Sequence, residues 1–374
     1  MIRTIPLLAL SLICHSPASA DVATTDLFTG TGKAPNHTYR IPTLCVTKPG
    51  TLLAFAELRK NSSGDSGDID TVVKRSTDGG KTWSKEQVML DIDDHTIGNA
   101  CPVVDPVSGR ITVVAVWNKV HESHTAPGFG ENSRRVYLTH SDDDGRSWSK
   151  PADISKQVKQ PTWSWFASGP GAGIVLTRGP HQGRFVIGVN HRETAGEAPG
   201  YYAHVIYSDD RGETWKSSKS FAARHTNECE VVELENGNLM LNMRNHGSSK
   251  RDRAVAISSD GGETWGETTW DTNLPEPQCM GSIHRHSWPS VQRPGVILFC
   301  NPASRKGREN LTLRASIDDG KTWPRELLVK PGDAAYSHLA VPANGTVAIA
   351  YETDGYRKIR FATVRLADLK ENPQ

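Results

Sequence analysis

An eight-residue pattern, Ser-x-Asp-x-Gly-x-Thr/Ser-Trp, occurs five times in this chain, at residues 76–83, 141–148, 208–215, 258–265 and 316–323. Each copy follows a short run of strand-forming residues, such as Thr71-Val72-Val73-Lys74-Arg75 or Ala254-Val255-Ala256-Ile257, which makes it a hairpin signal. The Asp carboxylate can fold onto backbone N–H groups of the turn, the Gly supplies a positive φ, and the Trp gives the loop one large apolar anchor.

The repeats begin 65, 67, 50 and 58 residues apart. A four-stranded propeller blade with its loops takes about 40–50 residues, so this period predicts an all-β chain, a β-propeller with long loops at one end. Residues before the first copy and after the last must supply the remaining strands. The expected ring is a six-bladed β-propeller, with C-terminal strands closing against N-terminal ones so that no sheet edge is left free. The 33 Gly and 22 Pro suit many turns, and no long amphipathic helix is evident.

Forty-three basic side chains nearly balance 42 acidic ones, which argues against nucleic acid or an anionic membrane as partner. Residues 1–20 have an export-signal layout: Arg3, an apolar run from Ile5 to Ile13, then small residues through Ala20. Cleavage after Ala20 is expected, leaving 21–374 as one propeller in a secreted or periplasmic protein. A lipoprotein signal at Cys14 fits poorly, because Leu12 and Ile13 are bulky where small residues are needed. No second apolar run is long enough to span a bilayer. Cys45, Cys101, Cys229, Cys279 and Cys300 remain after cleavage, an odd count that argues against a full disulfide framework and reads as buried free thiols, with one disulfide possible in an oxidising compartment.

Charged residues cluster where apolar strands start or stop. Arg40 precedes Ile41-Pro42 and is expected in extended geometry at a strand end. The next strand ends in Glu57 and Arg59, and a polar loop from Lys60 to Asp70 carries Asp65, Asp68 and Asp70. The stretch His121-Glu122-Ser123-His124 lacks zinc-protease spacing, and the glycine-rich residues 168–173 lack the Lys-Ser/Thr of a phosphate loop. These glycines are instead expected to allow close backbone approach near the mouth. Glu228 begins a strand in which Glu230 and Glu233 read as solvent-facing, and Arg244 ends the following one. Arg308 stands at a third strand start, Tyr336 opens another, and Glu352 closes the one after.

In a propeller such ends converge on the axis. Arg40, Arg244 and Arg308 meeting there without equal acid would repel one another unless they bind an anion, and the planar guanidinium fork suits a carboxylate.

The eight-residue repeat is the pattern called the Asp box. Together with Tyr39-Arg40-Ile41-Pro42, similar to a Phe/Tyr-Arg-Ile-Pro motif, it makes the chain resemble the sialidase (neuraminidase) family of bacterial and animal type, from about Tyr39 to Glu352. The resemblance implies that Arg40, Arg244 and Arg308 clamp the carboxylate of sialic acid, with Glu352 buttressing the first arginine. It implies Asp65 as acid/base, Tyr336 as nucleophile and Glu228 as its partner. Arg59 and Glu57 match an Ala-Glu-x-Arg segment beside the pocket, and Asn99 and His191 are weaker candidates for contacts to sugar substituents. The implied activity is retaining hydrolysis of terminal sialic acids from sialylated glycans, with no cofactor or metal. Trans-sialylation, a related nonulosonic acid substrate, or a non-catalytic sialoglycan-binding propeller are the alternatives.

Overall fold

The computed structural model describes residues 22–194 and 198–372; the proposed export signal lies outside them. The architecture is all-β and propeller-like, with five antiparallel sheets following one another in chain order. One sheet has eight strands, and its two halves meet at a single parallel bridge, Ile69 to Thr96. The strand Thr24–Thr29 pairs with Lys358–Arg365 in the last sheet, so the N-terminal strand closes the ring as expected.

Apolar clusters lie between neighbouring sheets. Leu44, Leu52 and Ala54 pack with Ala348, Ala350 and Phe361, for instance, and Val231, Leu239 and Leu241 with Val205 and Tyr207. This sandwiching explains why Leu52–Arg59 is buried at every position instead of alternating. Both faces of the strand meet another sheet. Among the described residues, all five cysteines are buried and unpaired, and no helix is long and apolar enough to cross a membrane.

The Asp boxes form one recurrent turn. In the first, Ser76 Oγ donates to Asp78 Oδ1 at 2.8 Å and accepts from Gly80 N at 2.8 Å, while Asp78 Oδ1 accepts from Thr82 N at 3.0 Å. The same bonds recur around Asp143, Asp210, Asp260 and Asp318. Gly80, at φ +90°, faces the Phe361 ring so closely that a Cβ would stand 2.1 Å from it. The turn therefore presses onto the neighbouring sheet, and only glycine fits. Each box follows the C-terminal end of its strand, as at Ile69–Ser76 and Asp252–Ser258. Arg308, Tyr201 and Arg134 stand at the start of equivalent strands, so the boxes occupy the opposite end from these residues.

Candidate active site

The first strands of the sheets face one another around a common centre. Near the mouth, several of them carry a one-residue bulge. The four residues from Arg40 to Thr43 oppose the three from Glu57 to Phe55, and the same mismatch occurs at Gly98/Cys101 and Thr226/Cys229. A bulge re-aims side chains at a strand end. These three turn Arg40, Asn99, Asn227 and Glu228 into one cavity of about 230 Å³. Ile41 is not extended, as a residue before proline should be; it sits at φ 58°. That conformation is costly for a β-branched residue. Glu352 holds it, accepting from Ile41 N at 2.8 Å.

Glu352 has no exposed surface and takes three donors. Oε1 accepts from Arg40 Nε at 2.7 Å and from Ile41 N, and Oε2 from Tyr336 N at 3.3 Å. The first arginine is thereby fixed edge-on, with its terminal nitrogens left for the cavity. Arg244 Nη1 donates to Glu228 Oε2 at 2.6 Å and to Tyr336 Oη at 3.0 Å. Its buried Nε has no partner among the described residues. Arg308 donates to two neutral oxygens, Tyr356 Oη and the Gln278 carbonyl, each at 3.1 Å. The cavity thus gathers Arg40, Arg244 and Arg308, with the Tyr336 ring between the first and third at 5.3 and 5.2 Å from their guanidinium carbons.

Tyr336 is 6% exposed, and its hydroxyl donates to Glu228 Oε1 at 2.5 Å. Burial, then the Glu228 charge, pushes the phenol well above its ordinary range, against the pull of Arg244 and Arg308. Burial works to raise the Glu228 carboxyl too, but Arg244 and the bond from Tyr336 outweigh it and hold the group below the usual carboxylate range. In the free protein the proton therefore stays on the tyrosine while the acceptor is charged and in contact.

Asp65 hangs over the mouth from the Lys60–Asp70 loop, its side chain 76% exposed. Arg59 folds the loop, donating to Ser63 O at 2.8 Å and Asp65 Oδ1 at 2.6 Å while its other nitrogens bind Glu57. Desolvation works to raise Asp65, but Arg59, then Arg40 and Arg308, hold it below the ordinary range. Asp68 and Asp70 instead close on Lys60 at 2.8 and 3.0 Å, which singles out Asp65 among the three acids. Glu57 Oε1 accepts from Asn99 N at 3.0 Å, placing Asn99 on the wall at φ 53°.

Two expectations need correction. His191 does not line the cavity. It is wholly buried, stacked on Trp163 with ring centroids 3.7 Å apart and 3.3 Å from His204 between Nδ1 atoms. Burial pushes both imidazoles far below their normal range. Glu230 and Glu233 are not solvent-facing either, at 3% exposed each. Glu230 accepts from His338 Nε2 at 2.6 Å, Ile283 N at 2.8 Å and Ala172 N at 3.0 Å, while His338 Nδ1 accepts from Leu44 N at 3.0 Å. One buried pair thus ties several sheets together two residues beneath Tyr336 and Glu228. Gly171 makes room for it, since a Cβ there would stand 1.9 Å from Glu230 Oε1.

The far wall was not foreseen. It consists of Glu122, Arg134, Trp165, Asn190 and Tyr201, with His246 nearby. The Arg134 guanidinium carbon lies over the Trp165 ring, 3.6 Å from its centroid, and Tyr201 hydrogen-bonds Glu122. Arg134 immediately precedes the strand Arg135–Ser141 as Arg308 precedes Glu309–Ser316, so the reasoning that selected Arg308 would have selected it too. Glu122 sits on a short helical turn, Glu122–His124, and has no such signature.

The BNR repeat-like domain family matches residues 50–349. A sialidase of Bacteroides fragilis is 36% identical over 88% of this chain, but the chain spans only 62% of that relative's length. An exo-alpha-sialidase of Aspergillus fumigatus is 33% identical over 80% of the chain and 72% of the relative. Among solved structures, the Hadza microbial sialidase Hz136 superposes with a TM-score of 0.82 at 36% identity, covering 90% of this chain and 67% of its own. With the Asp-box turns and the arginine-lined mouth already described, these matches make the chain a member of the sialidase family.

Proposed function

We propose that this protein is a retaining exo-sialidase that releases terminal sialic acid from sialylated glycans, its own side chains supplying the nucleophile and every proton transfer. The observation that carries this reading is the Tyr336–Glu228 contact at 2.5 Å beside Arg40, Arg244 and Arg308. The anomeric carbon of sialic acid bears a carboxylate, which would repel an anionic Asp or Glu nucleophile. A neutral phenol avoids that repulsion, and sialidases are the stated tyrosine exception to the paired-carboxylate scheme.

The arginines hold the substrate carboxylate. As the bond from the anomeric carbon to the leaving oxygen breaks, Tyr336 Oη forms a new bond to that carbon and its proton passes to Glu228. Asp65 gives its proton to the leaving oxygen. Arg244, in contact with both Tyr336 and Glu228, stabilises charge on either oxygen. In the second half Asp65 takes a proton from water, whose oxygen attacks the anomeric carbon, and Tyr336 leaves, recovering its proton from Glu228. Two inversions give net retention. Substrate binding also prepares the acid: its carboxylate neutralises Arg40 and Arg308, two of the charges that hold Asp65 low.

The test is release of a fluorescent phenol from its α-sialoside, with the first-formed sialic acid anomer followed by NMR. Release of the α-anomer supports the reading; the β-anomer, or no release, overturns it. Product analysis with lactose present separates hydrolysis from transfer.

We also infer that the ring has six blades, the eight-stranded sheet being two blades in contact at one bridge. The cluster joining Leu53 and Phe55 to Ile111 and Val113, between its halves, resembles those between separate sheets and supports this count. Residues 1–20 are proposed to direct export and to be removed after Ala20, which N-terminal sequencing of the secreted protein would check.

A further inference from the structure

Three guanidinium groups that converge on one carboxylate must be held in place when the carboxylate is absent, against mutual repulsion. Arg40 is held by Glu352 and Arg244 by Glu228. Among the described residues Arg308 has no such acid; its partners are Tyr356 Oη and the Gln278 carbonyl. Tyr356 also serves Arg40. Its ring lies 4.2 Å from the Arg40 guanidinium carbon, on which the nucleophile's ring also packs at 5.3 Å. One phenol therefore offers its negative face to the first arginine and an oxygen lone pair to the third.

Tyr356 stands outside the cavity lining, in the turn between Thr346–Thr353 and Lys358–Arg365. The turn carries three consecutive positive φ values, 56° at Asp354, 61° at Gly355 and 66° at Tyr356. A bulky side chain at φ 66° is uncommon and persists only where its surroundings hold it. Here Thr38 Oγ1 donates to Tyr356 O at 3.2 Å, tying the turn to the strand that bears Arg40, and the ring packs against the apolar group of Ile41, Met280 and Tyr336. The backbone is thus held in an unfavourable conformation with the phenol between two arginines.

We propose that Tyr356 is a positioning residue of the carboxylate clamp, coupling Arg40 to Arg308 so that both are set before substrate arrives; this rests on the sialidase reading above. Its hydroxyl fixes the Arg308 fork and its ring fixes the plane of Arg40. Losing the hydroxyl removes one hydrogen bond to a charged group, and losing the ring frees both arginines.

The experiment compares wild type, Tyr356→Phe and Tyr356→Leu for KM and kcat on a fluorogenic α-sialoside. It also measures inhibition by 2,3-didehydro sialic acid and by its C1 carboxamide. The expected result is a KM increase of about fivefold for Tyr356→Phe and tenfold or more for Tyr356→Leu, with kcat changed less. Inhibition by the acid weakens in parallel, while inhibition by the amide does not. Equal weakening for acid and amide would mean a merely structural role and overturn the proposal. So would unchanged constants in both variants of an active enzyme. Should Tyr356→Leu fail to fold, Tyr356→Phe decides alone. An inactive wild type would count against the sialidase reading itself, a separate outcome.

Discussion

Arg244 Nη1 lies 3.0 Å from Tyr336 Oη and 2.6 Å from Glu228 Oε2, so one guanidinium touches both ends of the pair proposed to exchange a proton. The phenol is pushed up and the carboxyl held down in the resting protein, so proton transfer is unfavourable until the phenol oxygen begins to bond to carbon. In the proposed mechanism Glu228 therefore acts as base only in the transition state.

Replacing that base gives the first prediction. Glu228→Gln keeps the shape and an amide oxygen that can still accept from Arg244 while removing the negative charge, and is expected to lower kcat about 10²- to 10⁴-fold with a smaller change in KM. Steady-state kinetics on an activated sialoside would show it. A loss below tenfold would remove Glu228 from the role of base.

Arg244→Ala should weaken binding of a sialic acid analogue by about 2–5 kcal/mol, because a buried charge-assisted pair is lost and Glu228 is left without its cation. Isothermal titration reads this directly. Unchanged affinity would mean that Arg244 does not belong to the clamp.

The pH profile follows from the charges around the two acids. The proposed mechanism needs Glu228 ionised and Asp65 protonated, and both groups lie below the ordinary carboxylate range in the free protein. Activity at low substrate then falls as pH drops through the Glu228 value and again as pH rises through the Asp65 value, which puts the kcat/KM optimum on the acid side of neutrality. Arg59→Gln removes the largest charge holding Asp65 down, so its pKa rises and the alkaline limb should move to higher pH. A limb that stays fixed or moves to lower pH would contradict the assignment of Asp65.

The Asp boxes should govern stability and not rate. Asp78→Ala is expected to lower Tm while leaving kcat/KM within about twofold, since the turn is at the other end of the sheets from the cavity. The box carboxylates share a direction: hydrogen bonds from Thr82 hold Asp78 down, and those from Ser147 hold Asp143 at about 2. A depressed folded-state pKa contributes stability that is present above the unfolded value of about 4 and lost as pH falls through the folded one. Thermal melts from pH 5 down to 2 should show this loss, and a smaller one in Asp78→Ala. Lost turnover with unchanged Tm would show that the box acts on chemistry.

Much of this was legible because it rests on local signals. A repeated turn announces a ring of sheets, and a charge at the end of an apolar strand announces the mouth, which selected Arg40, Glu228, Arg244 and Arg308. What failed depended on what lies across the molecule. Glu230 and Glu233 read as solvent-facing because they are charged; three apart, they point to opposite faces of the strand, and neighbouring sheets cover both. His191 is a weaker candidate that rests on the family resemblance alone, and the Trp163 ring that buries it is on another strand. Tyr356 and Glu122 act from turns, where no period marks a side chain. The positive φ at Ile41 overrides the preference of a residue before proline because a distant carboxylate, Glu352, binds its N–H.

The central claim is that Tyr336 becomes covalently bonded to the sugar. Treating the protein with a 2,3-difluoro sialic acid, whose fluorine at the position next to the anomeric carbon slows release of the intermediate, and digesting it for tandem mass spectrometry tests this most directly. The account predicts one sialyl adduct on the Tyr336 phenol, absent from Tyr336→Phe. An adduct on a carboxylate such as Glu228 or Asp65, or full turnover by Tyr336→Phe, would contradict it.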